Sequence, residues 1–141
     1  MPTRSADARW EGSLQDGNGT MSMASGAYEG PYSFQSRFAE GEGTNPEELI
    51  AAAHAGCFSM ALSGELGRAG YTPDSVETNA RVRIEKAGEG FAITRIDLRT
   101  RVKVTGMAEA EFHERAEAAK RDCPVSRALA GVEIALEAEL E

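Results

Sequence analysis

The stretch Thr44–Tyr71, TNPEELIAAAHAGCFSMALSGELGRAGY, decides how the rest of the chain must fold. Its opening carries the marks of a helix N-terminus. Asn45 can cap, Pro46 suits the first helical position, and Glu48 stands three residues after the cap. Glu47 and Glu48 put negative charge where the helix dipole favours it, and Gly70 suits the residue just past the C-terminus. These signals predict a helix over Pro46–Arg68, roughly 35 Å long at the usual rise. From Leu49 to Leu62 nearly every residue is apolar or small. Such a helix has no polar stripe and needs cover on every side. The run is short for a membrane span and is interrupted by His54 and Ser59, so a buried core helix is expected. Cys57 sits in its middle.

Length and charge narrow the function classes. With 141 residues and a formal charge of −8, a single domain over 1–141 is expected, and a nucleic-acid or anionic-membrane partner is disfavoured. No apolar segment follows Met1-Pro2-Thr3-Arg4, so no secretion signal is read there and a cytoplasmic location is expected. Thiols stay reduced in that compartment. Two cysteines, Cys57 and Cys123, then point to catalysis, redox work or metal binding rather than to a staple.

Before the helix the pattern is of strands and turns. Ala6, Ala8 and Trp10 alternate with polar residues, Asp16-Gly17-Asn18-Gly19 reads as a turn, and Thr20–Met23 as a returning strand. Gly26–Pro31 reads as a loop. Tyr32, Phe34, Ser36 and Phe38 alternate as a strand with an aromatic face, on which Arg37 points away unless a bulge re-aims it. After the helix, Val76, Ala80, Val82 and Ile84 share one strand face, and Ala87-Gly88-Glu89-Gly90 connects a hairpin. The next strand, Phe91–Val104, changes phase between Ile93 and Ile96, which predicts a bulge. A second helix is expected over Met107–Arg121 with Phe112, Ala116 and Ala119 inward. Pro124 then opens a short helix to Ala130, and Val132–Leu140 alternates as a last strand. The order implies an α+β fold with antiparallel sheets packed around the long helix. One sheet and a narrow second helix cannot cover that helix entirely, so a homodimer is expected.

Cys57 has two readings: a small buried hydrophobe, or a nucleophile that needs a cation brought to it. Its own helix supplies none nearby, since Arg68 is eleven residues on, roughly 16 Å along the axis. Cys123 lies at the junction of two helical pieces, where it either fills a turn or meets free N–H groups that favour a thiolate. Cys57, Cys123, His54 and His113 also make a conceivable zinc set, although the spacing matches no paired-ligand signature. His54 is otherwise a satisfied core histidine.

The segments TNPEELIAAAHAGCFSMALSGELGRAGYTP and AKRDCPVSRAL, with WEGSLQDGNGT, PYSFQSRFAEGEGTNPEEL and GFAITRIDLRTRVKV, resemble the osmotically inducible protein C (OsmC) family of hydroperoxide-reducing enzymes over nearly the whole chain. The AAHAGCFSMAL segment looks more like the OsmC branch than its sister branch of organic hydroperoxide resistance (Ohr) proteins. The resemblance implies a tightly intertwined dimer with two sheets around two central helices. It also implies that Cys57 is the peroxidatic cysteine, Cys123 the resolving one, Arg37 the thiolate-stabilising arginine and Glu47 the carboxylate that positions it. No cofactor is implied. The expected partners are a hydroperoxide, organic in preference to hydrogen peroxide, and an external dithiol reductant, of lipoyl type in related proteins. Glu47 precedes Cys57 by ten residues, roughly 15 Å of straight helix, so each site is expected to join Cys57 and Cys123 of one subunit to Arg37 and Glu47 of the other. Two further readings are a non-catalytic dimer that binds hydrophobic ligands and a zinc-binding structural dimer.

Overall fold

A computed structural model describes residues 1–141, which cluster into two units, Met1–Leu49 and Ile50–Glu141. The first holds an antiparallel sheet of β1 (Ala6–Glu11), β2 (Asn18–Met23) and β3 (Glu29–Tyr32), in that order. The turn falls earlier than Asn-Gly suggested. Glu11 pairs with Asn18, so Gly12–Gly17 makes the connection, with Gly12 at φ +94° and the Trp10 indole donating to the Gly12 carbonyl. Gly19 is therefore a strand residue. A Cβ there would come within 2.6 Å of the Tyr32 ring and 2.7 Å of Trp10, so the glycine lets the aromatics of both neighbouring strands close over the middle strand. Their ring centroids lie 5.3 Å apart. Part of the expected 26–31 loop, from Glu29, is β3.

The expected aromatic strand ends at Tyr32. Phe34–Phe38 is a short helix, α1. The same spacing of aromatics serves both readings, because residues four apart also share a helix face. Local hydrogen bonding decides it: Ser33 and Ser36 form a reciprocal capping box, and the Phe34 and Phe38 rings pack in a tilted pair with centroids 4.9 Å apart.

Helix α2 spans Pro46–Arg68, as read from its caps. Asn45 Oδ1 accepts from the Glu48 N–H at 2.8 Å. At the other end Gly70 takes φ +93°, the Gly70 N–H donates to the Gly67 carbonyl and the Tyr71 N–H to that of Leu66. This paired pattern is a Schellman closure. By length and composition α2 is also a candidate membrane span; Phe58, Leu62 and Leu66 are fully buried in the protein core, so one face packs as a core helix and the expected cover on every side is not present within the chain. The opposite face, with Ala53, Gly56 and Gly67, is exposed, and Met60 there is 79% exposed.

The second unit contains β4 (Ser75–Ala87), β5 (Gly90–Lys103), α3 (Glu109–Asp122), α4 (Pro124–Ala128) and β6 (Glu133–Leu140). The β4–β5 hairpin turns through Gly88-Glu89, with Gly88 at φ +61°. The expected bulge is present. Arg83 pairs with Arg95 and Ile84 with Ile93, which leaves Thr94 as the extra residue and restores Ile96 and Leu98 to the core. One feature departs from the antiparallel expectation: β6 pairs parallel to β5, so this sheet is mixed, in the order β4-β5-β6. The reason is the connection. The α3–α4 segment carries the chain back to the starting end of β5, and a helical crossover yields a parallel neighbour. On the outer face Arg95, Arg99 and Arg101 of β5 meet Glu133, Glu137 and Glu139 of β6 in register.

The core of this unit is Phe58, Leu62 and Leu66 of α2 against Ile96, Leu98 and Val102 of β5 and Phe112, Ala116 and Ala119 of α3. α3 begins two residues later than expected, after the turn at Gly106, φ +83°. Glu65, buried on α2, holds Arg115 of α3 at 3.1 Å and is also bonded to Arg68.

Leu62 has no exposed surface and no polar role, so its truncation isolates the packing of this core. Leu62→Ala is expected to lower unfolding stability by about 2–5 kcal/mol, read from the urea midpoint at fixed protein concentration.

Candidate active site

Cys57 and Cys123 meet. Their sulfurs are 3.0 Å apart and both thiols are free. Two local devices bring Cys123 there. It closes α3, its N–H donating to the Ala119 carbonyl at 2.9 Å, and it opens α4, its carbonyl accepting from the Arg127 N–H at 3.0 Å. Pro124 cannot continue α3 but fits the first position of α4, so the chain turns at the cysteine. Cys123 is wholly buried and Cys57 partly so.

The two thiols are tuned in opposite directions. Burial pushes the Cys57 thiol up, the neighbouring Cys123 adds to this, and a hydrogen bond from the Val125 N–H opposes it. Burial also acts against a Cys123 thiolate, but the neighbouring Cys57 thiol and the polar groups at the start of α4, the Ser126 N–H and hydroxyl and the Val125 N–H, favour it and together hold the Cys123 thiol below the ordinary range. Within the second unit, then, negative charge is better served on Cys123 than on Cys57.

Arg37 and Glu47 form a second pair, in the first unit. Arg37 Nε lies 3.0 and 3.2 Å from the two Glu47 carboxylate oxygens and Nη2 lies 2.7 Å from Oε1. Glu47 is buried, with 6% exposed, whereas the arginine side chain is 37% exposed. A buried carboxylate held this way fixes the guanidinium while leaving one edge free. The Arg37 head also lies 5.2 Å over the Phe38 ring. Because α1 is a helix, Arg37 is aimed by a helical turn and not by a strand bulge. Trp10, Leu14, Tyr32, Phe34 and Phe38 line a mainly apolar cleft of about 170 Å³ beside it.

The structure thus brings the four candidate residues together as two pairs, one per unit. The zinc set does not assemble. His113 is exposed on α3 and bonded to Glu109 at 3.1 Å, His54 turns Nε2 to Ser126 Oγ at 2.7 Å, and no three potential metal ligands gather anywhere. Sequence reasoning missed three contributors: Ser126, the Ser36 hydroxyl and the aromatic cleft. Ser36 Oγ binds the Ser33 N–H at 2.8 Å and the Ser33 and Thr44 carbonyls at 3.1 and 2.7 Å, tying α1 to the start of α2. The spacing S-x-x-S was a usable capping signal; nothing local marked Ser126.

Comparison with known proteins matches residues 39–137 to the family model described as OsmC-like protein. The chain is 48% identical over 139 residues to the protein named peroxiredoxin OsmC of Escherichia coli K12, covering 98% of this chain and 96% of that one. The chain belongs to the OsmC family. It is a peroxiredoxin-like enzyme. An organic hydroperoxide resistance protein of Xanthomonas axonopodis pv. citri is 35% identical over 94 residues, covering 66% of this chain and 64% of that one. The crystal structure of an organic hydroperoxide resistance protein from Elizabethkingia anophelis matches with a TM-score of 0.77 at 26% identity, covering 100% of this chain and 98% of that chain.

Ser36 is buried and satisfies the Thr44 carbonyl, so its loss strands that acceptor. Ser36→Ala is expected to cost about 1–3 kcal/mol in denaturant unfolding, whereas Ser25→Ala, on an exposed turn, should change little.

Proposed function

We propose that the enzyme reduces organic hydroperoxides to alcohols through a Cys57 sulfenic acid and a Cys57–Cys123 disulfide, in the cytoplasm, as a defence against oxidative and osmotic stress. The Cys57 thiolate attacks the distal oxygen of ROOH. The O–O bond breaks, the alkoxide takes a proton and leaves as ROH, and Cys57 is left as the sulfenic acid. Cys123 then displaces hydroxide from that sulfur, giving the disulfide and water. An external dithiol, of lipoyl type by family likeness, returns both thiols by exchange.

The observation that carries this reading is the 3.0 Å approach of two free thiols. A disulfide needs about 2.05 Å, so roughly 1 Å of closure suffices. What the thiol pair lacks is a cation for Cys57, whose pKa burial raises. We assign that role to Arg37, held by Glu47. Glu47 lies ten residues before Cys57 in the same helix, too far along the axis to serve the thiol of its own α2. Arg37 and Glu47 of the partner subunit therefore complete each site in a homodimer. The exposed apolar face of α2, with Met60 at its centre, supports such a partner, since a patch of that kind is normally covered. An arginine beside the sulfur lowers the thiolate's energy and polarises the peroxide.

The apolar cleft beside Arg37 favours substrates with a greasy end. It also suits a second reading, a non-catalytic dimer that binds hydrophobic ligands. Mass spectrometry after one equivalent of cumene hydroperoxide separates the two. The enzyme reading expects loss of two hydrogens joining Cys57 to Cys123, absent in Cys57→Ser; an unchanged mass supports the binder.

Two kinetic outcomes test the details. Cumene or tert-butyl hydroperoxide should give a higher kcat/KM than hydrogen peroxide, and equal or reversed values would remove the cleft from the substrate argument. Mixed dimers of a Cys57→Ser chain with an Arg37→Ala chain should recover one working site, whereas each homodimer loses about two orders of magnitude or more in activity. Absence of recovery in the mixed dimer rejects the shared site.

A further inference from the structure

The steps above leave one buried titratable group unused. His54 is completely enclosed, and its ring has a single polar contact, Nε2 to Ser126 Oγ at 2.7 Å; Nδ1 has no partner. Ser126 is itself buried and stands three residues after Cys123, in the first turn of the helix that Cys123 opens, where its hydroxyl favours negative charge on that sulfur. One hydroxyl therefore stands between an imidazole and the resolving sulfur. A histidine that served only to fill space would be replaced at lower cost by an apolar residue, because an imidazole with one hydrogen bond still carries an unmet polar atom.

We propose that His54, acting through the Ser126 hydroxyl, is the positioning residue that takes the Cys123 proton and so readies Cys123 to attack oxidised Cys57. This rests on the peroxidase reading. The Cys123 S–H gives its proton to Ser126 Oγ as Ser126 passes its own to His54 Nε2. The Cys123 sulfur then forms a bond to Cys57 Sγ, the S–O bond of the sulfenic acid breaks, and the departing hydroxide regains the proton from His54 by the reverse path. The sum is Cys57–SOH plus Cys123–SH to disulfide plus water, with His54 and Ser126 unchanged. The 3.0 Å sulfur–sulfur contact and the 2.7 Å contact of His54 with Ser126 are both in place in the reduced protein.

The ring is suited to accept. Burial lowers its pKa, so it is neutral at pH 7. The titratable groups that face it are the two thiols: Cys57 one turn along α2, and Cys123 through Ser126 at the α3–α4 junction. The other charges on these elements are committed elsewhere or turned outward. Glu65 engages Arg68 and Arg115 about three turns down α2, and Arg127 of α4 is exposed. The direction with pH follows. Above the lowered His54 pKa the ring is neutral and the relay works; as pH falls through that value the ring is protonated and the disulfide step slows.

The test separates the two chemical steps by rapid quench after one equivalent of cumene hydroperoxide, following Cys57 sulfenic acid with dimedone and the disulfide by mass. Ser126→Ala should slow disulfide formation relative to Cys57 oxidation by about a hundredfold, the lower end for a positioned proton acceptor, and should abolish its acid-side inflection. Ser126→Thr, which keeps the hydroxyl, should stay within about threefold of the parent. Closure of Ser126→Ala at the parent rate, or with the inflection retained, overturns the proposal. Should Ser126→Ala not fold, nitrogen NMR of the histidine-labelled parent decides: the relay requires the ring hydrogen on Nδ1, and a hydrogen on Nε2 overturns it. Failure of parental Cys57 to oxidise at all would instead overturn the peroxidase reading beneath.

Discussion

A thiol placed in the middle of an apolar helix is poorly disposed to ionise, and the proposed chemistry depends on overcoming that. Between Leu49 and Leu62 helix α2 carries no formal charge, and burial raises the Cys57 pKa. The local remedy is partial. The Val125 amide reaches Cys57, but the Ser126 amide and hydroxyl reach only Cys123. One amide hydrogen bond weighs less than a neighbouring guanidinium, which favours a nearby thiolate more strongly and does not depend on one donor angle. The guanidinium proposed for that role is Arg37, half-exposed and fixed by a buried carboxylate. Burying Glu47 without a partner would be costly, so the pair is maintained as a unit and the arginine keeps its orientation.

Much of the fold was legible because its signals are local and redundant. Asn45, Pro46 and Gly70 each act within one helical turn, and all three do in the structure what their chemistry predicts. The bulge at Thr94 was readable because a change of apolar phase has only one cheap solution, an extra residue. The misreadings have equally physical causes. Phe34 and Phe38 satisfy a strand of period two and a helix of period near four alike, and the reciprocal Ser33–Ser36 box broke the tie. The Asn18-Gly19 signal was outweighed by aromatic packing, since only a glycine fits between Trp10 and Tyr32. The parallel placement of β6 was missed because hairpin reasoning governs neighbours joined by short turns, whereas α3 and α4 separate β5 from β6.

The site was legible to a different degree. Cysteines in so few numbers stand out by type, and Pro124 marks in the sequence the turn at which Cys123 sits. Arg37 and Glu47 came from family likeness; on local pattern alone the arginine sat on the wrong kind of element. Ser126 carried no signal, because a serine one turn into a short helix is ordinary. It acquires meaning only when the fold brings it to a histidine 72 positions away. Side chains that act through a second side chain are invisible to periodicity, which reports burial and says nothing of what a buried hydroxyl touches.

The division of α2 into a buried and an exposed face bears on why assembly and chemistry would be linked. Phe58, Leu62 and Leu66 go to the core of the second unit, while Met60 and the small residues in phase with it stay open. Glu47 stands at one end of this helix and Cys57 near its middle. Antiparallel helices that crossed near Ala52, half-way between Glu47 and Cys57, would lay the first turn of each beside the middle of the other, and the small residues there permit a close approach. On that arrangement the apolar surface that demands a partner and the thiol that demands a cation have one answer. A lone subunit would hold both sulfurs in place and leave the Cys57 thiol raised by burial, so that on the proposed reading peroxide reduction would begin only once two chains had closed over α2.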